Sequence, residues 1–434
     1  MSFHPTLIAE IELSESLVEI KNENFDNRSP YDSVMLIVRL HHMVIGRVDV
    51  NFKTPVLRPK DYISEIWGQL ETEINSHLIE DGYQPITRLS PEGIHVEGIP
   101  ECLSHLDDFL QHAPFVSVVV CTHDRTKYLK ESLPLLLDLN YPSYEVIVVD
   151  NAPSTSETFD YIQSEFQGNK MVRYLREDQA GLSWARNCGI RHSQAEYIAF
   201  TDDDAFADSY WLAYLVQNFL FSEKVACVTG LALPLELEHE AQVWFEQFGG
   251  LGNGFKRLVF DMDRNRRDNV LYPYTVADYG AGVNMVFRTD VLRKLNGFFV
   301  QISQADDISM FVKLITNGYG IIYDPNGFVY HKHREDYEGL CRQMYNYGIG
   351  LSQFLVHLIV SDWTWLFRIA PRIPAAIIHF LSAKSRKNIN KDVGYPKELT
   401  WLERKGMLAG PIIYWQYTRK IQGLKSTVEY ESSN

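Results

Sequence analysis

The chain has 434 residues, 45% of them hydrophobic, and carries a net charge of −15. That length accommodates two or three units with a sizeable core, and the acidic balance excludes a general nucleic-acid-binding surface. An anionic ligand would need particular arginines or a metal to neutralise it. Cys102, Cys121, Cys188, Cys227 and Cys341 are widely spaced and include no C-x-x-C pair, the pattern of reduced core thiols. Residues 1–16 lack the basic and apolar regions of a signal peptide, so a cytoplasmic chain is expected. No apolar run reaches the roughly 18 residues that a membrane-spanning helix needs.

Residues 1–113 read as a small α+β accessory unit. Residues 34–39 and 43–51 have strand composition and form a hairpin through His41 and His42. In residues 60–78, Ile63, Ile66, Leu70, Ile74 and Leu78 recur at helical spacing. The two histidines are expected to form an exposed turn rather than to ligate a metal.

From Phe115 the pattern becomes regular. Apolar runs at 116–121, 144–149, 172–175, 197–200 and 225–229 alternate with helical patterns at 128–139, 155–166, 182–192 and 209–221. This predicts a doubly wound, mostly parallel sheet whose ligand lies beyond the carboxyl ends of the strands. Polar clusters stand at those ends: Thr122-His123-Asp124-Arg125, Asp150-Asn151, and the triplet Asp202-Asp203-Asp204. Three adjacent carboxylates repel one another unless a divalent cation lies among them, and hard oxygen ligands suit Mg²⁺ or Mn²⁺ beside substrate phosphates. Arg125 is placed to meet a phosphate, and Asp150 to accept from a base N–H. The stretch 181–187 opens the helix before the fourth strand; Gly181 permits close backbone approach and Arg186 projects toward the crevice.

In their order and spacing, Val118-Val119-Val120-Cys121-Thr122-His123-Asp124-Arg125, Val148-Val149-Asp150-Asn151, Gly181-Leu182-Ser183-Trp184-Ala185-Arg186-Asn187 and Thr201-Asp202-Asp203-Asp204 resemble the inverting family-2 glycosyltransferases of GT-A fold. The resemblance runs from Phe115 to Arg334, about half the chain. It implies that Thr122 and Asp150 contact the nucleotide. It also implies that the triplet touches the ribose and the metal on the diphosphate.

Further on, Gly280 and Gly282 suggest a strand that a ligand or another backbone approaches closely; in the family this region lines the sugar and acceptor side. A helix is expected from Thr289 to a stop at Asn296-Gly297. Asp306-Asp307 opens another helix, where two acids complement the helix dipole and the ionised form is favoured. The resemblance makes Asp307 the general base, with Asp306 in the place of a Glu and Ser309 where a further Asp is common. His331 and His333 share a face, and the family places a histidine here near the metal or diphosphate.

Residues 336–434 read as mostly helical. Trp363, Trp365, Phe367, the stretch 369–381 and the stretch 408–417 are apolar, with Lys384, Arg386, Lys387, Arg419 and Lys420 nearby. Such segments either pack on the sheet or lie at the inner face of the cell membrane. Gln343 is followed by Asn346 and Tyr347 rather than the Q-x-x-R-W of processive synthases.

The expected organisation is therefore an accessory unit over 1–113, a GT-A unit over 114–335 and a helical region over 336–434. The expected activity is metal-assisted, inverting transfer of a single sugar from a nucleotide-diphosphate donor to a carbohydrate or lipid-linked acceptor, in cell-envelope polysaccharide or glycolipid biosynthesis. Two rivals are a sugar-phosphate nucleotidyltransferase, disfavoured because residues 121–125 contain no phosphate-loop glycine, and a non-catalytic sugar-nucleotide-binding protein.

Overall fold

The computed structural model describes residues 3, 5–23, 30–267, 269–274, 278–382, 384–385, 387–391 and 394–431, with side chains as far as residue 423. Arg386, one of the basic residues noted after the apolar C-terminal run, lies outside the described residues.

The N-terminal segment comprises β1 (Thr6–Glu12), β2 (Ile20–Lys21), β3 (Ser33–Leu40), β4 (Met43–Asn51), β5 (Val56–Leu57), α1 (Pro59–Glu80) and α2 (Glu101–Gln111). β1 runs parallel to β3, and β3 and β4 form the expected hairpin. Side-chain alternation gives β3 two buried faces. Val34, Leu36, Val38 and Leu40 pack with Ile66, Leu70 and Ile74 of α1, while Met35 and Ile37 enter the core of the main sheet. His41 and His42 adopt left-handed φ values of 53° and 65° at the turn. The sequence reading of an exposed pair fails for His41, which is 3% exposed. Its ring turns inward against α1, where polar partners replace water.

The main unit contains β6 (Val116–Thr122), α3 (Thr126–Leu136), β7 (Tyr144–Asn151), α4 (Glu157–Phe166), β8 (Val172–Glu177), α5 (Leu182–His192), β9 (Tyr197–Asp202) and β10 (Ala205–Ala207). After these come α6 (Trp211–Gln217), β11 (Val225–Pro234), α7 (Glu240–Phe248), β12 (Leu258–Phe260), β13 (Asn284–Arg288), α8 (Thr289–Lys294), α9 (Asp306–Thr316) and β14 (Gly320–His331). The strand order is β10-β14-β11-β13-β9-β6-β7-β8, with β12 beside β14. Neighbours from β9 through β8 are parallel. β13 is antiparallel to both β9 and β11 and separates them. The sheet is thus the expected mixed, mostly parallel one. On β6, Val119 faces a core shared with Ala185 and Cys188 of α5, and Val118 and Val120 face one shared with Leu129 of α3 and Trp211 of α6. Apolar residues on both faces explain the continuous hydrophobic runs in the sequence.

The C-terminal region is helical: α10 (Tyr337–Ser361), α11 (Trp365–Ile369), α12 (Ile373–Leu381) and α13 (Lys397–Glu431). α10 and α13 approach closely through glycine. A Cβ on Gly348 would lie 1.9 Å from the Glu403 carbonyl oxygen, and one on Gly406 2.0 Å from that of Tyr345. No helix among the described residues is long and apolar enough to cross a membrane.

Candidate active site

β6, β7 and β9 are parallel and end together, so Thr122, Asp150 and Asp202 reach the same edge of the sheet. The chain turns through Asp203 and Asp204 into β10, which pairs with β14 so that Ala205 lies opposite His331. A strand pairing across 126 residues of sequence therefore brings His331 to the triplet. Its Nε2 is 3.4 Å from Asp204 Oδ1. One ligand atom from each of Asp202, Asp204 and His331 lies within 4.8 Å of the others.

The three carboxylates differ in surroundings. Burial pushes Asp203 up to about 7 against the pull of Arg125, and Thr122 Oγ1 donates to its Oδ2 at 2.7 Å. Asp204 is also buried, but the attraction of His331 and Arg125 outweighs that and holds it well below the usual carboxylate range. Asp202 is half-exposed at the mouth, 3.7 Å from Arg186. Burial lowers the His331 pKa, Asp204 raises it, and the net direction is upward. The second histidine, His333, lies behind the first: its Nδ1 is 3.1 Å from His331 Nδ1 and its Nε2 is 2.9 Å from Glu246.

The guanidinium of Arg125, the residue expected to meet a phosphate, lies 2.9 Å from Asp203 Oδ1 and 2.5 Å from Asp204 Oδ2. Asp124 stands apart from the triplet: its carboxylate accepts from the amide and hydroxyl of Ser154, at 2.9 and 2.6 Å, and ties two loops together. Asp150 is fully buried. One oxygen accepts from Tyr174 at 2.9 Å, and the other has no partner among the described residues, which leaves an acceptor for a donor on a ligand.

Arg186 joins the two halves of the site. Its Nη1 donates to Asp306 Oδ2 at 2.7 Å, and its Nη2 donates to the Gly282 carbonyl at 3.0 Å. Asp306 reaches this cation even though it is one methylene shorter than Glu. Ser309, in the position where the resemblance led to a further Asp, donates to the Asp306 carbonyl at 2.6 Å. Asp307 accepts from the Gly282 amide at 2.8 Å and from the Ile308 amide at 2.8 Å. Burial and the neighbouring Asp306 push its pKa up, the reverse of the downward shift that a helix N-terminus alone would give. Gly280 and Gly282 lie in the turn before β13 rather than in a strand. The close approach they suggested is real: a Cβ on Gly282 would lie 2.9 Å from Asp307 Oδ2 and 3.0 Å from Arg186 Nη2.

Two contributors escaped the sequence reading. Tyr174 carried no motif; only the pairing of β7 with β8 brings it beside Asp150. Tyr417, on α13, donates to the Ala180 carbonyl at 3.3 Å beside Gly181, a contact between positions 237 residues apart that no local pattern signals.

Residues 117–295 match the profile of Glycosyl transferase family 2. The chain is 24% identical over 228 residues to glucosyl-dolichyl phosphate glucuronosyltransferase of Haloferax volcanii, covering 50% of this chain and 69% of that protein. It is 24% identical over 221 residues to pre-mycofactocin glycosyltransferase of Mycobacterium tuberculosis, covering 50% of this chain but only 43% of that protein. Among solved structures, mannosyltransferase PcManGT from Pyrobaculum calidifontis in complex with GDP-Man and Mn2+ superposes with a TM-score of 0.46 at 18% identity, over 71% of this chain and 86% of that one.

Proposed function

We propose, from the match of residues 117–295 to the glycosyl transferase family 2 profile and from the geometry of the crevice, that the chain transfers a single sugar, with inversion, from a nucleotide-diphosphate donor to an acceptor hydroxyl. The observation that carries this reading is the Arg186 bridge. It holds the metal-competent triplet and the Asp306-Asp307 pair in one crevice, 3.7 Å from Asp202 and 2.7 Å from Asp306. A protein that only bound sugar nucleotide would need the first cluster but not the second.

Two carboxylates and one imidazole converging on a small volume fit a divalent cation, with Mg²⁺ or Mn²⁺ favoured by the hard oxygens. Asp202, Asp204 and His331 would hold it. Bound there, it would neutralise charge developing on the leaving diphosphate. Asp150, with its unpartnered oxygen, would orient the nucleobase, and Asp203, fixed by the Thr122 hydroxyl, would meet the ribose. Arg125, positioned on the triplet, can exchange a carboxylate for a phosphate oxygen as the donor enters.

The acceptor oxygen attacks the anomeric carbon, the carbon–oxygen bond to the diphosphate breaks, and the hydroxyl proton passes to Asp307. Asp306 is held by Arg186 in an ion pair at 2.7 Å. Among the described residues no cation lies at hydrogen-bonding distance of Asp307, and its raised pKa strengthens it as a proton acceptor. The acceptor is a carbohydrate or a lipid-linked sugar in envelope polysaccharide or glycolipid synthesis. The name of the Haloferax volcanii relative, which includes glucosyl-dolichyl phosphate, agrees with a lipid-linked one. An exposed apolar surface on α11 and α12 would seat the enzyme at the inner face of the membrane.

Steady-state kinetics of two variants test this reading. Asp307→Asn should lower kcat by roughly 10²–10⁴-fold and leave donor KM within a few-fold. Asp306→Asn should cost less in kcat and more in donor binding. A larger kcat loss in Asp306→Asn would reverse the two roles, and an unchanged kcat in both variants would remove the pair from the chemistry.

A further inference from the structure

His41, buried at the hairpin turn, meets three other ligand-type side chains. His77 and Asp81 end α1, one helical turn apart, and Cys102 lies in the first turn of α2. His41 Nδ1 is 2.7 Å from Asp81 Oδ2 and 3.1 Å from His77 Nε2. His77 Nε2 and Cys102 Sγ each lie 3.1 Å from the same Asp81 oxygen. One ligand atom from each of the four residues lies within 4.8 Å of the others. His41, His77 and Asp81 are 3%, 7% and 6% exposed.

We propose that His41, His77, Asp81 and Cys102 form a closed, structural zinc site, separate from the catalytic crevice. A tetrahedral zinc ion with bonds of about 2.0–2.3 Å holds its ligand atoms roughly 3.3–3.7 Å apart. The closest pair, His41 Nδ1 and Asp81 Oδ2 at 2.7 Å, needs to separate by roughly 0.6 Å to reach that geometry. Two imidazoles, a carboxylate and a thiolate are a borderline-soft set that favours zinc over the hard cations suited to the triplet. Charge balances: zinc displaces the thiol proton to solvent, and its two positive charges meet one carboxylate and one thiolate. Hydrogen bonding accounts less well for the cluster. It crowds two imidazole nitrogens and a thiol onto one carboxylate oxygen. The second Asp81 oxygen is held by the Cys102 amide at 2.9 Å, which fixes the carboxylate for ligation.

The site would pin the hairpin that docks the N-terminal segment on the main sheet. Arg39 Nη1 is 2.9 Å from Asp208, the Val44 amide donates to Asn326 at 2.9 Å, and His42 stacks on Tyr210 at 5.2 Å.

Elemental analysis of the full chain, supplied with zinc and then dialysed in magnesium buffer, tests the proposal. Wild type and Asp204→Asn should each retain about one zinc per chain, and His77→Ala and Cys102→Ser should retain none. Because a variant could fail to fold, cobalt-loaded wild type gives a second readout: a thiolate-to-cobalt charge-transfer band that disappears in Cys102→Ser of native circular dichroism. Zinc absent from wild type, zinc lost equally from Asp204→Asn, or a cobalt spectrum without the thiolate band would each overturn the proposal.

Discussion

Asp306 and Asp307 are adjacent in sequence yet occupy opposite electrostatic surroundings, and the difference is made by one arginine and one glycine. Arg186 takes the first carboxylate as an ion pair, and Gly282 offers its amide to the second. A side chain at 282 has no room between them, so Gly282→Ala should leave the fold intact while displacing Asp307 and Arg186. Misplacement on the ångström scale costs about 10²-fold in turnover. A kcat drop of that order with an unchanged melting temperature is expected, and full activity in the alanine variant would mean that the Gly282 contact does not position the base. At this scale the sequence was most informative where chemistry forces a rare pattern. Three consecutive carboxylates at a strand end are hard to explain without a cation, and the triplet does meet His331. It was least informative where a partner comes from a distant strand or helix, as Tyr174 does for Asp150. His41 was misread because hairpin turns are usually wet, and nothing local signalled that α1 and α2 would close over it.

The strands and helices of the main unit were legible because a sheet buried on both faces must be built from unbroken apolar runs. Strand order was not. The insertion of β13 between β9 and β11 depends on long-range pairing that periodicity does not encode. The helical pair α10 and α13 gives a pH prediction. His357 bonds Tyr414 at 3.0 Å across the two helices. Burial, with nearby Lys313, pulls its pKa from 6.5 to about 4. The unfolded chain therefore binds the proton more readily between those values. The stabilisation is complete above about 6.5 and is lost as pH falls toward 4, by an amount on the order of 3 kcal/mol. Denaturant melts should show this slope between pH 6.5 and 4, and His357→Gln should flatten it. An equal slope in the variant would assign the acid sensitivity to other groups.

Across the whole molecule, the N-terminal segment and the C-terminal helices flank the catalytic sheet in different ways. The first buries Met35 and Ile37 against the main core. The second packs Leu399 and Tyr414 inward but leaves Trp363, Phe367 and Ile378 65–67% exposed. None of the residues in α11 or α12 is buried. An apolar face with Arg368 and Arg372 beside it suits the headgroup boundary of an anionic bilayer. The purified enzyme should co-sediment with anionic vesicles at low salt and less at high salt. Replacing Trp363, Phe367 and Ile378 together by Ser should release it without loss of transfer to a soluble acceptor. Undiminished sedimentation of that variant would place membrane contact elsewhere.

On the proposed mechanism, one crevice binds a nucleotide-diphosphate sugar and passes its sugar to a hydroxyl held over Asp307. Nuclear magnetic resonance of the product formed from an α-linked donor, with Mn²⁺ or Mg²⁺ present, tests it most directly. Attack by a base-activated hydroxyl from the face opposite the leaving diphosphate predicts a β-linked product from the first turnover. An α-linked product would rule out direct displacement with Asp307 as base, because retention requires chemistry that the Asp307 geometry does not supply.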